Sequence, residues 1–564
     1  MNAVTKPRVR VNARGEVRPA PAMGLGGGTN TRDAARHDLT EFSGWRPPLR
    51  FAGSANYAER NTIMARGRDL DENNGWINGG LDRRVESVIG VNIRLSAQPR
   101  YTVLNRDHAW RMDWAVKVQD RFTIWANDIH HRCDARMRLP FGALARLAYL
   151  TYIRDGEMAA EIRDISRGIT NPTSILLFEP ERISTPDWLT ENKNLRNGIV
   201  MDDNGAVMGY WVRNTHPNDP DRGFEGQRWS YIPAMGPTGR TRIIHVFNPR
   251  RAEQNRGISR LAEVMVPAKM LDRVDRAEVN AALKAALFSI FIKSPGTTED
   301  LEAALAPTGS DAGVDPWVES YLSMRERSPV FVDSAQVTHL LPDEDVVVPN
   351  ATHPNSNFPE FTKTVLQKVA ASLGVSYPQM SQNWADINYS SARALINELW
   401  RSFKEDRHFF TQAFCTPVYA AWLEWEVANG DVKVPGGPVG FYKNKTAICM
   451  AEWIGPGRGS VDPLKEANAN NLDTAAGRKS TVECILEDGR DPSDVMQDEL
   501  WLRNERERLG LPELNHNVKA GDAGGEDGAS SSGTEADRDG DGIANEEQRK
   551  KKGPGTPAGQ GDDQ

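Results

Sequence analysis

The chain has 564 residues and a formal net charge of −8, with 26% charged and 39% hydrophobic residues. That size and balance imply several folded parts of a soluble globular protein. The acidic balance argues against a protein whose main task is gripping a DNA backbone, since such proteins concentrate Lys and Arg; it does not exclude contact with DNA. Cys133, Cys415, Cys449 and Cys484 are widely spaced and form no CxxC pair. This argues against a disulfide framework or zinc ribbon and suits a reducing cytoplasm. No apolar run approaches the roughly 18 residues of a membrane span, and no secretory signal opens the chain.

Residues 1–30 are rich in Gly, Pro and Arg without hydrophobic periodicity and read as a disordered arm. Asn56 to Leu150 reads as mainly helical. Trp110, Trp114, Val118, Phe122 and Trp125 form one stripe, and Phe141 to Tyr152 a second helix that stops at the turn Asp155-Gly156-Glu157. A β-rich module follows. Ser174 to Glu179 reads as a buried strand. Gly198 to Met201 and Val207 to Val212 flank the hairpin turn Asp202-Asp203-Asn204-Gly205, and Thr241 to Phe247 is a further strand.

Next comes a long helix from about Ser259 to Lys293, with Leu261, Val264, Leu271 and Val274 on a stripe continued by Val279, Leu283, Ala286 and Ile290. It would span roughly 50 Å. Pro267 is expected to kink it and Pro295-Gly296 to stop it. Thr297 to Asn350 is mixed, with strand-like runs at Val330–Val332 and Val346–Val348. Phe358, Phe361, Val365, Val369 and Leu373 mark another helix, with Pro359 in its first turn and Gly374 past its end. Gly374 to Ser391 has loop composition. Ser391 to Gly430 then reads as a single helix kinked at Pro417. Val439 to Tyr442 looks strand-like. Asp462-Pro463 and Asp491-Pro492 each start a helix, the second ending at Leu509-Gly510. Residues 515–564 read as a disordered acidic and polar tail.

Four motifs stand in order along this body. They are Ile243-Ile244-His245-Val246-Phe247 with Arg256-Gly257-Ile258-Ser259; Asn388-Tyr389-Ser390-Ser391-Ala392-Arg393; Asp462-Pro463-Leu464-Lys465-Glu466 with Ala475-Ala476-Gly477-Arg478-Lys479-Ser480; and Glu487-Asp488-Gly489-Arg490-Asp491. In order and spacing, from about Asp69 to Leu509, the chain resembles the lambda-type portal proteins of tailed phages. The resemblance implies an α+β, helix-rich subunit with wing, stem, clip and crown parts and disordered termini. It divides the chain into a wing-like region (31–257), a stem helix (258–294), a clip-like segment (295–356), a returning stem helix (357–373), a channel-facing loop (374–391), a long wing helix (392–430) and a crown-like region (431–514). It also implies a homo-oligomeric, dodecameric ring at the capsid vertex. Double-stranded DNA would pass through the channel. Terminase, major capsid and scaffold proteins, and head-tail connector proteins would be partners, in a virion assembled in the host cytoplasm. The acidic balance fits a channel through which DNA slides without sticking.

Within the loop, Gln382, Asn383, Trp384, Asp386, Asn388 and Tyr389 are the channel candidates. Aromatic and amide groups can touch a DNA backbone without a strong charge, although a packed inter-element loop has the same composition. No catalytic residues are expected. Gly477-Arg478-Lys479-Ser480 lacks the upstream glycine of a P-loop and reads as a polar turn. His130-His131-Arg132-Cys133-Asp134 reads as a surface helix end rather than a metal site, and Asp155 and Glu157 lack a partner base. In the tail, Asp537, Asp539, Asp541 and Asn545 match positions 1, 3, 5 and 9 of a calcium loop, but Gln548 stands at position 12 where a bidentate Glu is needed. Calcium there is the weaker reading beside a solvated acidic patch, and no other cofactor is expected. The alternative function is a DNA-processing enzyme of the packaging system, a nuclease or ATPase.

Overall fold

A computed structural model describes residues 44–53, 57–168, 171–220, 228–287, 358–385, 387–459 and 463–512, together with Thr40, Ser323 and four short strands. The calcium-loop residues Asp537, Asp539, Asp541 and Asn545 lie outside the described residues, as do Asp386, Asp462, Val330–Val332 and most of the clip-like segment. In the expected arm, β1 (Arg10–Val11) pairs antiparallel with β2 (Val17–Arg18).

Two helices open the body, α1 (Arg60–Asn73) and α2 (Gly75–Val88). Asn74 separates them, and its side chain caps α2 by accepting from the Ile77 amide at 2.9 Å. The strand β3 (Arg94–Ala97) follows, a strand the helical reading of this region missed. Asp107 caps α3 (His108–Ala126), whose Trp114, Val118, Phe122 and Trp125 are buried as their spacing implies. The next segment is a loop rather than a helix end: His130 is exposed, as expected, but Cys133 and Asp134 are buried. The Asp134 carboxylate accepts from the amides of Arg136 and Arg138 at 2.9 and 3.0 Å.

The helix α4 (Phe141–Asp155) ends where Gly156 takes φ of +91°. Beyond it the chain forms β4 (Glu157–Asp164), not merely a turn. The expected strands appear as β5 (Thr173–Phe178), β7 (Ile199–Met201), β8 (Val207–Arg213) and β10 (Ile243–Phe247). Two more were not anticipated, β6 (Leu195–Arg196) and β9 (Trp229–Pro233). They build two antiparallel sheets of order β10-β4-β5 and β6-β7-β8-β9. Phe178, Ile183, Ile199 and Tyr210 pack in a small core that includes residues of both.

The long helix is shorter than its periodicity implied. Arg260–Glu263 is a 3-10 turn, α5 runs Met265–Leu287, and Phe291–Lys293 is a strand (β11) paired with β12 (Asp345–Val347). Because α5 starts at Met265, Pro267 falls in its first turn and needs no hydrogen-bond donor there, so no kink is required. The helix marked by Phe358, Phe361, Val365, Val369 and Leu373 is α6 (Phe358–Leu373). The presumed loop contains a short helix, α7 (Tyr377–Ser381), with a capping box between Ser376 and Gln379.

The helix expected over 391–430 is two, α8 (Tyr389–Ala413) and α9 (Cys415–Ala428), joined at Phe414. Pro417 lacks the amide that would bond the Ala413 carbonyl, so the break falls ahead of the proline. Val439–Tyr442 is helical, inside α10 (Gly437–Lys443), followed by α11 (Lys445–Ile448). The strand β13 (Ala451–Ile454) then pairs with β3. Three helices close the described chain: α12 (Pro463–Ala475), α13 (Thr481–Glu487) and α14 (Pro492–Arg508).

The main core gathers aromatic rings from elements far apart in sequence. Phe122 meets Trp422 edge-on at 5.2 Å between centroids, Phe410 stacks on Phe414 at 5.5 Å, and Phe141 lies 5.9 Å from Trp453. No helix among the described residues is long and apolar enough to cross a membrane.

Candidate functional site

The loop between α6 and α8 has a buried foot and an exposed tip. Val375, Ser376 and Met380 are buried, and α7 packs on α2. Gln382, Asn383 and Trp384 are exposed. Gln382 sits at φ +56° and donates from its side-chain amide to the Gln379 carbonyl at 2.6 Å. The Asn383 side chain accepts from the Ala385 amide at 3.1 Å. Asn388 caps α8 by accepting from the Ser391 amide at 2.9 Å, and Tyr389 is the first residue of that helix. The candidates therefore share one short segment, but the side chains of Gln382, Asn383 and Asn388 are occupied in shaping it. Trp384, 46% exposed, is the large side chain this tip presents.

Sequence reasoning missed what holds the foot. Arg84, on α2, is wholly buried. It donates to the Leu373 and Gly374 carbonyls at 2.9 and 2.8 Å, to the Tyr149 hydroxyl at 3.2 Å, and to the carboxylate of Asp406 on α8. The Tyr149 hydroxyl in turn donates to Asp406 at 2.9 Å, and Arg260 donates to both Asp406 oxygens at 3.0–3.1 Å. Burial pushes the Tyr149 phenol up, so it stays a neutral donor. Gly374 has φ of +66°, and a Cβ there would lie 2.3 Å from an Arg84 nitrogen. The terminal glycine thus both ends α6 and makes room for the arginine.

A second buried charge centre lies under the β module. Glu157, fully buried, accepts from Arg60 at 2.7 Å, from Arg256 Nε at 2.9 Å, from the Gly257 amide at 2.9 Å, and contacts His245 at 3.1 Å. Arg256 also donates to the carbonyls of Pro180, Ile183 and Asn197, each at 2.9 Å, so all five of its N–H groups are used. A Cβ on Gly257 would lie 2.0 Å from the Gly156 carbonyl oxygen, which explains the glycines beside Glu157 and Arg256. The first motif therefore assembles a structural knot. Both carboxylate oxygens are taken up by these donors, and the group is fully buried, so neither is offered to a substrate.

The other motifs act alike. Ser480 and Glu483 form a capping box, and Lys479 pairs with Glu487, so the polar turn leads into a helix start. Asp491 caps α14 and accepts from Gln119 at 3.0 Å.

Among the described residues, Glu179, Glu181 and His216 bring ligand-type atoms together. Arg68 occupies the position a cation would take, donating to both Glu181 oxygens at 2.5 and 2.9 Å. His216 Nδ1 accepts from the Asn218 amide at 3.1 Å, which leaves Nε2 carrying its proton toward Glu181 at 3.0 Å. The imidazole therefore turns no lone pair toward a metal. Burial alone would raise the Glu181 pKa, but the hydrogen bonds and charge of Arg68 outweigh it and hold the carboxyl below its ordinary value.

These arrangements are structural, and likeness to known proteins agrees. The sequence pattern described as phage portal protein, lambda family, matches residues 39–407. The portal protein of Escherichia phage N15 is 28% identical over 479 residues, covering 84% of this chain and 89% of its own length. Portal protein B of Escherichia phage lambda is 27% identical over 476 residues, with the same coverage of each. Among solved structures, a chain in the neck of an empty gene transfer agent particle, computed with C6 symmetry, aligns over 82% of this chain and 96% of its own at 14% identity and a TM-score of 0.43. This chain belongs to the lambda family of phage portal proteins.

Proposed function

We propose that the chain is one subunit of a homo-oligomeric ring, twelve-fold by expectation, at the unique capsid vertex. DNA enters through its channel during packaging and leaves through it on ejection. Terminase docks on the ring during packaging, and head-tail connector proteins take that place later. Capsid and scaffold proteins hold its rim. Family membership over residues 39–407 carries the reading.

The surface of α5 supports the ring. Its first half buries Ala268 and Leu271 against the body, whereas Val266, Met270, Val279 and Leu283 are exposed. At 100° per residue, Val266 and Met270 lie on one side and Val279 and Leu283 on the other. A helix apolar on two sides fits a wall with a neighbour on each. In this reading α5 and α6 are stem, α1–α4 and the β module are wing with α8 and α9, and the C-terminal helices are crown.

The loop 374–391 faces the channel, with Trp384 exposed at its tip. The acidic balance suits DNA that moves past without being held. The role is structural, and the motor ATPase is a separate protein. Reversing the charge at Asp386 (Asp386→Lys) tests the loop. Packaging should slow or stall, and unchanged packaging would remove the loop from the channel.

A further inference from the structure

We propose that Arg84 is the positioning residue of the 374–388 loop, and that with Asp406 it couples the loop to the rest of the subunit. As a statement about the channel this rests on the loop reading above; as a statement about the fold it stands alone.

The argument starts from the end of α6. The last carbonyls of a helix have no partner within it and form its negative pole. Here Leu373 and Gly374 give their carbonyls to one nitrogen of Arg84. The same guanidinium pairs with Asp406, which belongs to α8, the helix that begins where the loop ends. One side chain on α2 thus joins the two helices that bracket the loop. Tyr149 from α4 bonds both members of the pair, and Arg260 binds Asp406 from just ahead of α5. The Arg260 carbonyl in turn accepts from Ser372 at 3.2 Å.

Two arginines meet one carboxylate, so the excess positive charge is balanced in part by the α6 carbonyl dipoles. Withdrawal of α6 from this point would leave a buried, under-paired Arg84, which is costly. The foot therefore cannot move without α2 and α8. A load applied at the tip, eight to ten residues further on, is passed to those helices rather than absorbed at Gly374. Lysine could not replace Arg84, because a point charge cannot reach a carboxylate, a hydroxyl and two carbonyls in one plane.

The test is hydrogen–deuterium exchange on assembled full-length protein carrying Arg84→Gln, Arg84→Lys or Asp406→Asn. Amides of the α6 end and of residues 374–388 should exchange ~10-fold faster, as expected when one or two buried hydrogen bonds are lost. The β10-β4-β5 sheet should keep its protection, and Arg84→Lys should restore little. If Arg84→Gln does not assemble, Tyr149→Phe removes one hydroxyl and should give a smaller rise in the same segment. Unchanged exchange at 374–388, or an equal rise throughout the subunit, overturns the proposal. Packaging assays on the same variants separate the two readings. Faster loop exchange with normal DNA packaging and retention supports the positioning role and removes the loop from the channel.

Discussion

The body between α1 and β13 and the three helices that follow it are held by different forces. The body encloses a core of large aromatic and aliphatic side chains, with Trp422, Phe410 and Phe414 fully buried. The helices α12, α13 and α14 bury no residue at all. They are tethered by polar contacts: Gln119 to Asp491, Arg458 to Glu466 at 3.3 Å, and the Arg458 amide to the Glu487 carbonyl at 3.1 Å. Their apolar side chains, among them Leu464, Leu472, Leu500 and a 66% exposed Trp501, face outward. Short helices rely on packing an apolar face for stability. The difference shows that the body carries a core of its own, whereas the C-terminal helices, like the outer faces of α5, leave apolar side chains exposed. In the proposed ring, that surface would meet the neighbouring subunit.

The largest effects should separate the regions most clearly. Trp422→Ala should cost the subunit about 3–5 kcal/mol in equilibrium urea unfolding, through lost burial and an unfilled cavity. Trp501→Ala should change it by less than about 0.5 kcal/mol. Equal losses would mean that α14 is part of the core after all. Within the body, Glu157→Gln leaves Arg60, Arg256 and His245 facing a neutral group. A loss of about 3 kcal/mol by the same measurement is expected, since breaking a buried pair strands the remaining charge. An unaffected midpoint would show that the knot is not structural.

The C-terminal region should reveal itself in assembly rather than folding. Leu500→Asp should keep the melting temperature of the dissociated subunit while sedimentation shows fewer rings. Normal rings would mean that the exposed face of α14 is not an interface.

The smallest effect concerns acid. Glu181, in the body, and Glu487, on α13, both lie below their ordinary value of 4.5, because Arg68 and Lys479 respectively outweigh the upward push of burial. A depressed carboxyl contributes stability that is complete above its unfolded pKa and fades as pH falls through the folded one. Thermal melts should therefore lose stability below about pH 4.5. Glu181→Gln should flatten that acid limb more than Glu487→Gln, whose carboxylate is more exposed. The reverse order would place the stronger pair in the C-terminal helices.

The sequence announced elements wherever a single residue type carried the signal. Pro359 and Gly374 bounded α6, and Asp491-Pro492 started α14. It failed where the signal depended on partners. The strand β4 opens with Glu157, and its first six residues are buried, so no polar alternation marks it. Val439–Tyr442 is a four-residue apolar run, too short to tell strand from helix. The site followed the same rule. The loop was visible as a break between two helical stripes. Its anchor was not, since Arg84 is 289 residues from Leu373 along the chain, and an arginine beside Arg83 on a helix ordinarily reads as solvated surface.

The central claim is the ring, and direct imaging of the purified full-length protein tests it. The account predicts closed rings with an axial hole in negative-stain class averages. A stable monomer, above all one with nuclease or ATPase activity, would contradict it.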